Sequence, residues 1–305
     1  MWRQPRECAG EENVCKRVTK EFQNGTIWVT GAGGLIGSHI VRVAREFFPR
    51  AVVVPLTRSR LDLLDLKRVE RHFRASKPGL VFHCAAMSRS PDCEASPSIA
   101  EKVNVDASRN LVELCMESKL VFFSSDQVFD GKTPPYSEAA QANPLSVYAE
   151  TKVKAEQIVL ANPAHLVIRT SLNGGPSPTG DRGFNEQMRK AWETGRELTL
   201  FVDEFRCAIH AEETARVACE LALRGCSGVF HVAGRERMSR WDLGRLVAER
   251  WPGLKPRFKP GRLADYKGPP RPQDLALDCR KAVGVLGREI PGISEWLSIR
   301  PEDIF

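Results

Sequence analysis

Thr26-Ile27-Trp28-Val29-Thr30-Gly31-Ala32-Gly33-Gly34-Leu35-Ile36-Gly37 is the stretch whose reading decides the fold. Its first five residues form a short apolar run that suits a strand. Gly31, Gly34 and Gly37 follow at Gly-x-x-Gly-x-x-Gly spacing, and a helical pattern occupies 36–48. Glycine permits a tight turn and the close approach of a pyrophosphate to backbone N–H groups. The helix N-terminus then faces the anion. Strand, glycine loop and helix in this order predict a nucleotide-binding unit, with Gly31, Gly34, Leu35, Ile36 and Gly37 along the phosphates.

Further apolar runs lie at 51–54, 80–84, 120–124, 165–169 and 229–232, with helical patterns at 65–76, 99–118 and 147–161. Runs this continuous suit strands buried on both faces. Strand–helix alternation at this spacing predicts an α/β fold, a Rossmann-type doubly wound parallel sheet. After residue 170 the texture changes. Gly174-Gly175-Pro176-Ser177-Pro178-Thr179-Gly180 reads as a loop, helical patterns follow at 185–195, 212–224 and 240–250, and 252–272 reads as irregular. Ser239 with Asp242 has the form of a capping box. Three regions follow: a polar extension over 1–24, a dinucleotide-binding domain over 25–172, and a smaller, mainly substrate-binding lobe over 173–305 with segments returning to the first sheet.

Composition narrows the function classes. The chain has 305 residues, 42% hydrophobic and 27% charged, with a net charge of +7. Its basic residues form no run interleaved with aromatics, which argues against nucleic acid as a partner. No apolar stretch is long enough to span a membrane, and residues 1–24 lack the apolar core of a signal peptide. The nine cysteines contain no Cys-x-x-Cys pair and several sit in apolar runs. They predict reduced thiols and a cytoplasmic protein. The six histidines are scattered without metal-ligand spacing, so no metal site is expected.

The end of the second strand should meet the adenosine ribose. NAD-preferring sites offer Asp or Glu about 20 residues after the glycine loop. Here the residues are Leu56-Thr57-Arg58-Ser59-Arg60. Arg58 suits a 2′-phosphate, so NADP(H) is expected over NAD(H). Asp62, with Leu63 beside it, is placed to meet the adenine. Downstream, Tyr148 and Lys152 are four apart at the start of a predicted helix. That spacing puts them on one face, roughly 5–6 Å apart at Cβ. An ammonium near a phenol is expected to lower its pKa from about 10 and make it a proton donor near neutrality. The fourth strand ends in Ser124-Ser125-Asp126-Gln127, where a doubly wound sheet binds its ligands. A hydroxyl there would hold a substrate carbonyl.

With these residues in order, the chain resembles the extended short-chain dehydrogenase/reductase family over roughly 25–290. It looks most like the dTDP-4-dehydrorhamnose reductase group. The matching stretches are 124–131, 134–138, Asn143-Pro144-Leu145, 148–152, Arg169-Thr170-Ser171 and Arg271-Pro272. The resemblance implies catalysis by Ser125, Tyr148 and Lys152 on the keto group of a nucleotide-linked sugar, in the manner of dTDP-rhamnose biosynthesis. Lys152 and Tyr148 would also hold the nicotinamide ribose. Ser124, the Cys84-Ala85-Ala86 turn and Asn104 would lie along the cofactor. Ser88, Gln127, Asn173, Arg206 and Arg271 would meet the substrate, the two arginines as a diphosphate clamp. A homodimer is a further expectation.

There are departures from that pattern. Gln127 stands where these reductases usually have Tyr, Leu172 where they commonly have Trp, and Ser88-Arg89-Ser90 replaces their usual segment. A second resemblance is to the regulatory beta subunit of methionine adenosyltransferase. It is carried by 83–86, Asn104-Val105-Asp106-Ala107-Ser108 and Leu277-Asp278-Cys279. It implies an NADP-binding partner of a methionine adenosyltransferase catalytic subunit. A nucleotide-sugar epimerase is another alternative. A dehydratase would need Glu or Lys after Asp126, and a serine hydrolase a Gly-x-Ser-x-Gly elbow; neither is present. Asp126 reads as a structural cap of its loop, and His83, His210 and His231 as satisfied core histidines.

Overall fold

The computed structural model describes residues 24–301 and 303, so the expected 1–24 extension lies, apart from Asn24, outside the described residues. Six parallel strands form the central sheet: β1 (Thr26–Thr30), β2 (Val52–Leu56), β3 (Pro78–His83), β4 (Lys119–Ser125), β5 (Leu166–Thr170) and β10 (Gly228–Val232). Their order is β10-β5-β4-β3-β1-β2. The chain winds outward from β1 in one direction and from β3 in the other. The crevice beyond β1 and β3 is therefore the topological switch point where such sheets bind ligands.

Both faces of the sheet are covered, which explains the unbroken apolar runs. Ile27, Val29, Leu80, Phe82, Val121, Phe123, Leu166 and Ile168 pack with α1 (Leu35–Phe47), α8 (Ala211–Leu223) and α10 (Arg280–Leu286). The intervening Trp28, Val81, Leu120, Phe122 and Val167 pack with α2 (Leu66–Ser76), α5 (Ala107–Leu114) and α6 (Val147–Leu160). Strand residues alternate between faces, so each strand needs apolar side chains throughout. The second strand runs two residues further than expected and includes Pro55, tolerated because β2 is the sheet edge.

The helix expected over 99–118 is broken. It consists of α4 (Pro97–Glu101), a π-helical turn (Lys102–Asp106) and α5, preceded by the short α3 (Ser90–Ala95). A π-bulge turns a side chain out of the regular ladder, and here it carries Asn104 into the protein. The second lobe holds α7 (Phe184–Glu193), α9 (Arg240–Arg250) and α11 (Ile293–Ile299). Its small sheets pair β6 (Asn173–Gly174) with β9 (Ile209–His210), β7 (Leu198–Phe201) with β12 (Phe258–Gly261), and β8 (Phe205–Arg206) with β11 (Met238–Ser239). Phe184, Trp192, Leu243 and Trp296 anchor its core. The capping box opens α9 as expected, with Ser239 Oγ accepting from Asp242 N at 3.0 Å. Residues 252–272 are less irregular than expected, because β12 finds a strand partner in β7.

Two contacts bind the switch point together. Gly31 has φ +65°, and a Cβ there would lie 2.6 Å from Ala85 N. Beside it, Thr30 Oγ1 and His83 Nδ1 are 2.7 Å apart, and His83 Nε2 is 3.1 Å from Ser108 Oγ. Ser108 donates to the Asn104 carbonyl at 2.6 Å, so it accepts from His83, whose proton sits on Nε2. Burial, with Lys152 nearby, pushes His83 down to about 3. It is a neutral core residue, as its surroundings predicted.

Gly31→Ala is expected to destabilise the protein by about 2 kcal/mol or more, since it combines a disfavoured φ with backbone overlap. A denaturant midpoint unchanged from wild type would show that the two loops are not in contact.

Candidate active site

Helix α6 places the central residues. Ser146 caps it, accepting from Ala149 N at 3.3 Å. Tyr148, Lys152 and Glu156 then follow at four-residue intervals along one face, and all three are buried. Glu156 takes Arg169 of β5 in a forked pair, with contacts of 3.0 Å and 2.7 Å. Thr151 receives Asn104 Nδ2 at 2.9 Å. Asn104 also clamps Met87, accepting from its N–H at 2.8 Å and donating to its carbonyl at 3.1 Å. Asn104 thus fixes the chain after β3 against α6 rather than offering its own side chain to a ligand.

Ser125 ends β4 beside Tyr148, and its hydroxyl lowers the pKa of that phenol. Ser125 Oγ also lies 3.2 Å from Asp126 Oδ1 and accepts from Gln127 N at 3.2 Å. The phenol is not shifted as the sequence spacing suggested. Burial raises the Tyr148 pKa, Asp126 and Cys93 add to the rise, and only the Ser125 bond opposes it. The Lys152 ammonium sits 3.9 Å over the Phe122 ring instead. Burial lowers Lys152 to about 7, against the pull of Glu156 and Cys84. Among the described residues Lys152 has no hydrogen-bond partner. Desolvation therefore outweighs the lysine–tyrosine attraction in this state.

Several features fit a nicotinamide dinucleotide. Gly31 leaves no room for a side chain beside the Cys84-Ala85-Ala86 turn, and a Cβ on Gly37 would overlap the Gly31 carbonyl. Gly34 opens α1, with Leu35 and Ile36 in its first turn. Ser124 Oγ is buried without a partner. Arg58 is 84% exposed just past β2, with its Nε 3.6 Å from Asp62 Oδ2. Asp62 also accepts from Leu64 N at 3.0 Å, so its carboxylate is engaged in the local turn. Leu63 packs onto the core under that turn.

A cavity of about 820 Å³ lies between the lobes. Ser88, Gln127, Arg206 and Arg271 line it, but Asn173 does not. Asn173 is held by Thr170, the Ser171 carbonyl and Thr214, at 3.0, 2.9 and 2.7 Å. The expected diphosphate clamp is also changed. Arg271 grips Glu204 in a fork of 2.8 and 2.9 Å, and Arg206 Nη2 lies 3.1 Å from the same carboxylate. Burial alone would raise Glu204, but Arg206, Arg271 and Arg240 hold it below the usual carboxylate range. Arg240, half-buried, is pushed down to about 10 by desolvation. The sequence reading passed over Glu204 and Arg240, which are distant in the chain and match no motif. Asp126 is no loop cap: it is 3% exposed and accepts from Ser171 Oγ at 2.6 Å.

No helix among the described residues is long and apolar enough to cross a membrane, and no metal-binding cluster occurs among them. The chain is 30% identical over 286 residues to the probable low-salt glycan biosynthesis reductase Agl14 of Haloferax volcanii, covering 89% of this chain and 95% of that one. It is 29% identical over 303 residues to methionine adenosyltransferase 2 subunit beta of Bos taurus, covering 93% and 91%. The crystal structure of a dTDP-4-dehydrorhamnose reductase from Clostridium acetobutylicum superposes with a TM-score of 0.81 at 26% identity, covering 92% and 98%. Residues 25–298 match the family described as RmlD substrate binding domain. With a parallel sheet switching at a glycine loop and a second lobe across the cavity from Gln127 and Ser146, the chain belongs to that family.

Proposed function

We propose that this protein is an NADPH-dependent reductase acting on a keto group of a nucleotide-linked sugar. The observation that carries this reading is the convergence of Ser125, Tyr148 and Lys152 where β4 and α6 meet. Gln127 and Ser146, each two residues from that centre, line the interlobe cavity. Bound NADPH supplies the hydride. Ser125 polarises the carbonyl, and Tyr148 delivers the proton to its oxygen. A buried phenol with a raised pKa stays protonated and ready to donate. Lys152, which has no hydrogen-bond partner among the described residues, would hold the ribose hydroxyls of the cofactor. The cavity lining carries Arg89, Lys190 and Arg196 beside Asp92 and Asp181, a positive excess that favours a nucleoside diphosphate.

A second reading is supported by the 29% identity to the methionine adenosyltransferase subunit over most of both chains. It makes the protein an NADP-binding partner of a methionine adenosyltransferase catalytic subunit. An assay separates the two. NADPH is offered with dTDP-, GDP- and UDP-linked 4-keto sugars, and co-purification with the adenosyltransferase is measured in parallel. The reductase reading expects NADPH oxidation with at least one sugar, and Tyr148→Phe should reduce it by about 10²–10⁴-fold with little change in NADPH affinity. Tight NADPH binding without any turnover, together with capture of the adenosyltransferase, would establish the partner reading.

Arg58→Ala is expected to weaken NADPH binding about tenfold while leaving NADH unchanged, because it removes the cation facing a 2′-phosphate. Equal losses for both nucleotides would remove Arg58 from the recognition of that group.

Lys152 links function to stability. Its folded-state value of about 7 lies below the ordinary 10.5. Between these values the unfolded chain binds the extra proton, so stability from this group rises as pH climbs from 7 towards 10.5. Below 7 the full cost of the buried charge is present. Lys152→Met should therefore raise the thermal midpoint of the nucleotide-free protein at neutral pH and lose that advantage towards 10.5. A lower midpoint at neutral pH would mean that the ammonium is stabilising.

A further inference from the structure

Asp126 is a buried carboxyl one bond from the proposed proton-donating centre, and the reaction as described leaves it without a role. Its two oxygens face different neighbours. Oδ2 accepts from Ser171 Oγ at 2.6 Å and lies 3.9 Å from Arg206 Nε. Oδ1 lies 3.2 Å from Ser125 Oγ. Ser125 also receives Gln127 N at 3.2 Å.

A hydroxyl has one hydrogen and two lone pairs, and a carboxylate can only accept. With Asp126 ionised, the Ser125 hydrogen must point at Asp126. One lone pair of Ser125 then takes the Gln127 N–H, and no hydrogen remains for a substrate. With Asp126 protonated, Oδ2 keeps Ser171 and Oδ1 carries a proton that it donates to Ser125. Ser125 then accepts from Asp126 and Gln127, and its own hydrogen is free for a carbonyl.

We propose that Asp126 is a positioning residue whose protonation sets the direction in which the Ser125 hydroxyl donates, so that Ser125 polarises a substrate carbonyl only while Asp126 carries a proton. This rests on the reductase reading for the role of Ser125. The charged and titratable neighbours of Asp126 are Arg206 on β8, Glu204 just before it, Arg240 at the start of α9, Tyr148 on α6 and Cys207. Arg206 favours the ionised form, but Arg206 also faces Glu204 at 3.1 Å. Burial wins: it raises Asp126 above the usual carboxylate range against Arg206, Ser171 and Ser125, with Glu204 assisting. Full activity is thus expected below that raised value and is lost as pH rises through it.

The test compares the pH profile of turnover in wild type and Asp126→Asn. An amide can donate to Ser125 at every pH, so it stands in for the protonated carboxyl. Wild type should fall by about a hundredfold on its alkaline limb, the loss expected for one missing carbonyl donor. Asp126→Asn should stay active and lose that limb, whereas Asp126→Ala should be about a hundredfold slower throughout. An Asn variant that keeps the wild-type alkaline fall overturns the proposal. A second measurement needs no substrate: infrared spectra of the nucleotide-free protein across the same pH range. A protonated-carboxyl band that is absent in Asp126→Asn and displaced in Ser125→Ala upholds the coupling. An Asp126 ionised throughout overturns it. If no keto sugar is reduced by wild type, the reductase reading fails, while the infrared result still decides whether Asp126 and Ser125 exchange direction.

Discussion

The loop after β1 and the loop after β3 approach until no side chain fits between Gly31 and Ala85. Much else depends on this contact. It fixes the crevice at the switch point, and the bonds beside it run from Thr30 through His83 and Ser108 to Asn104. Asn104 then reaches Met87 and Thr151, so the glycine loop, the chain after β3 and helix α6 are held in one hydrogen-bonded series. The helix that carries Tyr148 and Lys152 is therefore positioned from the glycine loop at the switch point. Neutral His83 is the middle member because each of its ring nitrogens has a defined partner.

Desolvation dominates the electrostatics beyond that point. Lys152 is lowered to about 7, while Tyr148 and Asp126 are raised. Each shift favours the neutral form, the usual response of a buried group without sufficient counter-charge. The Glu204 cluster behaves differently, because three guanidinium groups surround one carboxylate and hold it ionised. Leaving the buried Glu204 carboxylate unpaired would cost several kcal/mol, roughly 3–5 for a buried pair broken on one side. Arg206 and Arg271 of that cluster line the interlobe cavity, whereas the neutral groups lie next in sequence to its Gln127 lining or two and six residues on from Ser146.

Much of the fold was legible in the sequence because the sheet is covered on both faces. That burial demands unbroken apolar runs, and Leu120-Val121-Phe122-Phe123 shows the pattern plainly. The glycine loop was legible for a steric reason: only glycine fits against Ala85. The break at 102–106 was not, since it depends on Asn104 finding Met87 and Thr151, contacts distant in sequence. Nor was the engagement of Arg271 by Glu204, because a pair between distant segments leaves no periodic trace. The spacing of Tyr148 and Lys152 located both residues but gave the wrong sign for the phenol. Spacing reports proximity on a helix face, whereas the sign was set by burial and by a lysine that turns to Phe122.

The position of β10 has a consequence for how the chain assembles. Leu166, Val167 and Ile168 of β5 are fully buried, and β10 covers the outer edge of that strand. Between β5 and β10 in sequence come α7, α8 and the short strands β6 to β9. The first lobe therefore cannot close its sheet from its own residues. During synthesis β5 emerges with an open apolar edge, a template for pairing with other chains, and stays so until residues 228–232 have been made. Late, long-range closure of this kind also slows folding. A truncation after β5 would keep the glycine loop, Ser125, Tyr148 and Lys152, yet leave that edge exposed to aggregation.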